Sequence, residues 1–130
     1  MNFIDTNYFI RFFIKDNIDQ YKQVEDLLKK GAARKIALFT STVVIFEVYW
    51  VLARFYKKNK FGSIEILIEI LKWKFIEVYE RKILLKAIGI FAQTNLDLED
   101  CYHIAFAGYN KAGDLLTFDR KLKKEFLKRL

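Results

Sequence analysis

Proline is absent from this chain of 130 residues, and glycine occurs only 5 times. The sequence therefore lacks the clusters of proline, glycine and serine that mark linkers between domains. At this length, a hydrophobic share of 53% is enough for one buried core. These features predict a single domain that spans residues 1–130.

Cysteine and histidine each occur once, as Cys101 and His103. A single cysteine excludes a disulfide within the chain and suits a reducing compartment. Cys101 lies in an apolar helical pattern, so a small buried side chain is favoured over a nucleophile. His103 lies in the same pattern, and we expect it to pack against a neighbour rather than to transfer protons.

Long hydrophobic runs are missing as well. The longest, residues 43–53, contains Glu47 and is too short to cross a bilayer. We expect no signal peptide, because Asp5 interrupts the first apolar residues and no basic segment precedes them. We expect a soluble cytoplasmic protein without a membrane partner.

Acidic residues are in the minority, with 16 Asp+Glu against 23 Lys+Arg, a net charge of +7. A basic surface of this kind suits a polyanion such as RNA. Such a surface is also what a compositional bias of the genome, or a solvated loop and tail helix, would produce. The candidates for contacts with an RNA backbone are Lys57, Lys58, Lys60, Arg120 and Lys121.

Short apolar runs alternate with amphipathic segments along the chain. The runs predict four strands: one ending at Asp5, then residues 36–39, 75–79 and 114–118. Helices are predicted after Asp5 and over residues 19–30, 43–56, 81–93, 97–110 and 120–130, and a further helix begins at Ser63 with an apolar stripe that reaches Leu71. Asp19 and Ser63 are predicted as the caps of the second and fourth helices. The alternation predicts an α/β fold, a small parallel sheet with helices on both faces in a Rossmann-like arrangement.

Several aspartates stand where strands end or helices begin. Asp5 and Asp119 each follow an apolar strand and precede a helix, and the carboxyl ends of parallel strands are where α/β sheets bind ligands. Asp97 and Asp100 open a further helix. The alternative for each aspartate is a helix cap or a favourable charge in a first helical turn.

Glu47 calls for a different explanation, because it lies in the middle of a helix that is apolar nearly all round. Such a helix is expected to be buried, and burying an ionised carboxylate alone costs several kcal/mol. Glu47 should therefore meet a cation, a hydrogen-bond network or a water-filled cleft. An ion pair with Arg11 or Arg54 is the alternative to a functional role.

Right-handed parallel crossovers would bring four of these acids to one rim of the sheet: Asp5, Glu47, Asp100 and Asp119. Carboxylates about 5 Å apart repel by roughly 3 kcal/mol per pair at an effective dielectric constant of about 20. Their convergence is unfavourable without a divalent cation. Ligands that offer only oxygen indicate Mg²⁺ or Mn²⁺.

Four segments resemble the motifs of the PIN domain family, in the same order and at matching spacing: FIDTNYFIRFF, STVVIFEVYWVL, LDLEDCYHIAFA and LLTFDRKL. The resemblance implies an endoribonuclease that hydrolyses RNA phosphodiester bonds with Mg²⁺ or Mn²⁺. It carries the family's catalytic, metal-binding acids onto four residues: Asp5, Glu47, Asp100 and Asp119. It adds an accessory metal-binding acid and two supporting polar residues: Asp97, Asn7 and Thr117.

In size and compactness the chain is most similar to the VapC-type toxins of toxin–antitoxin pairs, although free-standing PIN ribonucleases look similar. That similarity implies a homodimer and an antitoxin protein as partner. Many PIN domains add a last strand beyond the position of Leu130, so this edge of the sheet is expected to be missing or trimmed. Two alternatives stay open: a catalytically silent PIN-fold module that binds protein or RNA, and a receiver-like domain, which the single acid after the first strand disfavours.

Overall fold

A computed structural model describes all residues, 1–130. The chain forms two compact units, Met1–Tyr79 and Glu80–Leu130. The single domain predicted from composition stays a prediction.

The first unit contains a parallel sheet of three strands, in the order β1 (Asn2–Phe3), β2 (Leu38–Phe39) and β3 (Ile76–Glu77). Each strand is only 2 residues long, shorter than the apolar runs predicted. Backbone hydrogen bonds continue one residue past the strands, from Ile4 to Phe39 at 2.9 Å and from Thr40 to Glu77 at 3.0 Å. The predicted α/β class with a small parallel sheet is confirmed.

Seven α-helices accompany the sheet. The first unit holds α1 (Thr6–Ile14), α2 (Ile18–Ala32), α3 (Thr42–Trp50) and α4 (Lys60–Lys72), and the second holds α5 (Arg81–Gln93), α6 (Leu98–Tyr109) and α7 (Arg120–Lys128). A π-helical turn, Val51–Phe55, continues α3. No helix combines the length and the apolar character that crossing a lipid bilayer requires.

Polar side chains begin three helices of the first unit. Asn17, Ser41 and Asn59 each accept a hydrogen bond from the backbone N–H three residues later, at 3.1, 3.2 and 2.7 Å. These bonds satisfy donors that a helix start would otherwise leave without a partner.

The predicted caps Asp19 and Ser63 are wrong. Asp19 lies in the first turn of α2, because Asn17 already caps that helix. Ser63 lies inside α4, which Asn59 caps. The side chain of Ser63 is fully buried, and its hydroxyl has no hydrogen-bond partner.

The strand predicted over residues 114–118 is also wrong, since the structure has a loop there. Asp114 accepts a hydrogen bond from the next N–H at 2.8 Å, and Thr117 accepts one from the N–H of Asp119 at 3.0 Å. Local bonds of this kind compete with a sheet ladder for backbone groups. Phe118, the last residue of the predicted strand, is fully exposed.

Candidate active site

The carboxyl ends of β1 and β2 lie side by side at one edge of the sheet, because the strands are parallel and in register. Asp5 follows β1 at this edge. Thr40 follows β2, is buried, and donates from Oγ1 to the carbonyl of Ile4 at 2.8 Å. The N–H of Ile4 donates to Phe39 at 2.9 Å. Two hydrogen bonds therefore fix the backbone immediately before Asp5.

Asp5 occupies the N-cap position of α1 with an extended backbone, φ −86° and ψ 166°. Its carboxylate makes no hydrogen bond to the helix, and the residue is exposed. Capping therefore does not account for this side chain, which leaves the carboxylate available to a ligand.

Glu47 is exposed, so the expectation that its helix is buried on every side is wrong. Helix α3 buries Val44, Ile45 and Val48 and leaves a face uncovered. On that face Val43 is 65% exposed and Trp50 is 38% exposed. Residues four and three apart share a helix face, so Glu47 points to solvent between them. Apolar composition all round a helix did not guarantee its burial.

Thr6 binds the carboxylate of Glu47. The hydroxyl of Thr6 donates to Oε1 of Glu47 at 3.1 Å, and Thr6 itself is buried at the start of α1. Because Thr6 directly follows Asp5, this bond holds Glu47 against the helix start that Asp5 occupies. Sequence reasoning missed Thr6, although a hydroxyl next to a candidate acid was the available signal.

The arginines proposed as partners of Glu47 are engaged elsewhere, so this alternative is also wrong. Arg11 bonds to Asp16 at 3.2 Å and to Tyr56 at 3.2 Å. Arg54 lies over the ring of Trp50, 5.5 Å from its centroid.

The second unit contains an acid cluster, which we define as Asp97, Asp100 and Asp119. Burial raises the pKa of Asp100 above its ordinary value, and the negative charges of Asp119 and Asp97 raise it further. The charge of Glu99 acts in the same direction, and only His103 opposes it. Asp100 therefore experiences net negative charge from its surroundings.

The two aspartates that flank Asp100 in the acid cluster differ in their bonding. Asp97 is the N-cap residue of α6, but its side chain makes no cap hydrogen bond. Asp119 does cap α7, accepting from the N–H of Leu122 at 3.1 Å. The bond from the N–H of Asp119 to Thr117 positions the backbone that carries this acid.

Cys101 is fully buried, as predicted, with its sulfur 3.8 Å from Oγ1 of Thr94. His103 is exposed, but its ring lies edge-on to the ring of a neighbour, Tyr102, with the two centroids 6.1 Å apart, so the expected contact is present at the surface. Cys101 and His103 fall on different faces of α6, and the face of Cys101 is the one that packs.

The remaining candidates lie on the surface. Asn7 is exposed in the first turn of α1. Lys57, at φ 55°, and Lys58 are exposed in the loop before α4, while Lys60, at the start of that helix, is half-buried. Arg120 and Lys121 are exposed at the start of α7.

None of the candidate acids takes part in a salt bridge, although the chain has 23 Lys+Arg. These acids are Asp5, Glu47, Asp97, Asp100 and Asp119. Their oxygen donors and the repulsion at Asp100 fit a hard divalent cation chemically. No group of three or more His, Cys, Asp or Glu side chains has the placement of a finished metal site.

The family model of the PIN domain matches residues 3–125, almost the whole chain. No curated protein matches the sequence.

Proposed function

The chain belongs to the PIN domain family, and on that premise we propose that it is a metal-dependent endoribonuclease. PIN domains are generally nucleases, which are hydrolases of phosphodiester bonds. The substrate that we propose is RNA, and the proposed cofactor is Mg²⁺ or Mn²⁺.

The observation that carries the proposal is that none of the candidate acids forms a salt bridge in a protein of net charge +7. Carboxylates that only stabilise a fold are usually paired or cap a helix. Asp5 and Asp97 stand at N-cap positions without capping. Side chains left in this state are available to a cation.

We propose Asp5, Glu47, Asp100 and Asp119 as the residues that would bind the metal, with Asp97 as an accessory ligand. A bound divalent ion lowers the pKa of a water molecule and offsets negative charge on the scissile phosphate. Thr6 fixes the orientation of Glu47 through the bond at 3.1 Å. Thr117 orients the backbone of Asp119, and Asn7 is a supporting residue. Hydrogen bonds that orient ligands in this way raise metal affinity.

Within the family, we propose that the protein is a VapC-type toxin that forms a homodimer and binds an antitoxin protein. The size of the chain supports this role.

The test is cleavage of a mixed RNA substrate by Asp5→Asn in the presence of Mg²⁺ or Mn²⁺. Because this change removes a charged ligand and leaves the shape of the side chain, we expect cleavage to fall by about 100-fold or more. The matched control is Asp26→Asn, which changes an exposed carboxylate on α2 that pairs only with Lys30, and it should cleave like the wild type.

Cleavage that survives Asp5→Asn, in protein free of contaminating nuclease, would overturn the assignment. A thermal titration with Mn²⁺ separates the nuclease from a silent binding module. The proposed site predicts that Mn²⁺ stabilises the wild type more than Asp5→Asn, whereas a silent module predicts no stabilisation of either.

A further inference from the structure

A cavity of about 370 Å³ lies in the second unit, lined by residues of α5, α6 and the end of α7. Its apolar floor is formed by side chains that are at most 7% exposed: Ile83, Ile104, Ala105 and Phe126. Pockets that hold small molecules measure about 300–1,000 Å³ and are mostly apolar. The cavity is therefore large enough for one small ligand with a hydrocarbon body.

Three cations stand around this floor: Lys82, Lys86 and Arg129. Arg129 bonds to Glu125 at 2.8 Å, so its charge is compensated. Lys82 and Lys86 are exposed, one helical turn apart on α5, and neither forms a salt bridge. Like charges at this spacing repel each other. An anion placed between them would relieve that repulsion.

We propose that this cavity binds a small amphipathic anion, with its hydrocarbon body on the apolar floor and its acidic group at Lys82 and Lys86. The apolar floor favours the hydrocarbon body, and the two lysine charges without an acidic partner favour the acidic group. None of the candidate metal-binding acids lines the cavity, so the proposal does not depend on the nuclease.

The first test is calorimetric titration of the whole protein with decanoate and, separately, with decanol. The two probes share a hydrocarbon chain and differ in charge. We expect decanoate to bind more tightly than decanol by about tenfold, which corresponds to about 1.4 kcal/mol. Equal binding of the two probes would overturn the assignment of the anionic end.

The second test fills the cavity from one of its own residues. Gly108 lines the cavity, and a Cβ atom built on it meets nothing within 4 Å. Gly89, on α5, also has open space around its Cβ but does not line the cavity. Gly108→Phe should weaken decanoate binding by about tenfold or more, while the matched control Gly89→Phe should bind like the wild type.

A third variant, Lys82→Gln with Lys86→Gln, tests the charge without touching the floor. It should weaken decanoate binding by about tenfold and leave decanol binding unchanged. Two results would overturn the proposal: decanoate binding to Gly108→Phe at wild-type affinity, or an equal loss in Gly89→Phe, which would indicate general adsorption. Circular dichroism checks that each variant is folded, and the lysine variant decides the question if Gly108→Phe is not.

Discussion

The pKa of Asp100 depends on the burial of its side chain and on the charges around it. Asp100 lies in the first turn of α6, where a helix favours negative charge. Burial and the charges of Asp119 and Asp97 act in the opposite direction and raise the pKa of Asp100. The ionised form of Asp100 is therefore destabilised in the folded protein without a cation.

This shift makes stability depend on pH. A folded pKa above the ordinary value of 3.8 means that the folded state holds more protons than the unfolded state between the two values. The free energy of unfolding should therefore fall as pH rises from below 3.8 through the raised pKa. Asp100→Asn removes this loss and should therefore raise the free energy of unfolding at pH 7.

Urea denaturation of the metal-free protein at about pH 3 and pH 7 measures the effect. The gain of Asp100→Asn should vanish at the lower pH, where the carboxyl is protonated in both states. Asp26→Asn, in an exposed i,i+4 pair, should change little at either pH. A destabilised Asp100→Asn at pH 7 would contradict the raised pKa.

For single residues, the sequence predicted the place of an acid in its helix better than it predicted the exposure of that acid to solvent. The places of Asp5 and Asp97 at helix starts follow from a local pattern of apolar and polar residues, and both predictions are confirmed by the helix bounds. The exposure of Glu47 could not be read in the same way. Nearly every neighbour in α3 is apolar, so periodicity does not show which face other elements cover.

A side chain caps the start of four helices: α2, α3, α4 and α7. Two other helices, α1 and α6, have an aspartate at the cap position that makes no cap hydrogen bond. The residue type is equally suitable in both groups. The two groups therefore differ only in whether the side chain forms the cap hydrogen bond. Asp5 and Asp97 do not form it, so their carboxylates do not stabilise a helix through a cap.

This distinction predicts a contrast in stability. Ser41→Ala and Asn59→Ala each remove a cap bond, at 3.2 and 2.7 Å, and should lower the free energy of unfolding by about 1 kcal/mol. Asp5→Ala and Asp97→Ala remove no cap bond and should cost about half of that or less. Urea denaturation compares the four variants at one pH, and equal costs in both groups would show that the aspartates are ordinary caps.

Element prediction succeeded where one local signal acted alone. Over Arg81–Gln93 a helical stripe predicted a buried face, and that face is buried: Ile83, Leu84, Ala87, Ile90 and Phe91. It failed over residues 114–118, where the hydroxyl and carboxylate side chains bind neighbouring N–H groups instead of allowing a strand. Apolar composition cannot reveal that competition.

For the molecule as a whole, the net charge of +7 predicts how RNA binding responds to salt. Each phosphate contact with single-stranded RNA lowers the slope of log affinity against log salt by about 0.7. Replacing Lys57 and Lys58 by glutamine should therefore make that slope shallower by about 1.4 if both contact phosphate.

The matched control for this experiment is a double change of Lys29 and Lys30 to glutamine. These lysines are also exposed but pair with acids one turn earlier on α2. Fluorescence anisotropy with a labelled RNA, at several salt concentrations and without divalent ions, gives each slope. An affinity that does not change with salt would exclude backbone contacts by the loop lysines.

The π-helical turn lies between Glu47 and the loop that contains Lys57, and its winding determines the angle about the helix axis between the two residues. Its wider winding appears in the bond from the N–H of Tyr56 to the carbonyl of Val51, at 3.1 Å, five residues back. One α-helical residue advances the chain by about 100°. Deleting one residue of this turn would rotate Lys57 by roughly a quarter revolution or more about the helix axis, without altering any acid. The number of residues in this turn therefore determines the direction in which Lys57 leaves the helix, and it does so without any change to the acids.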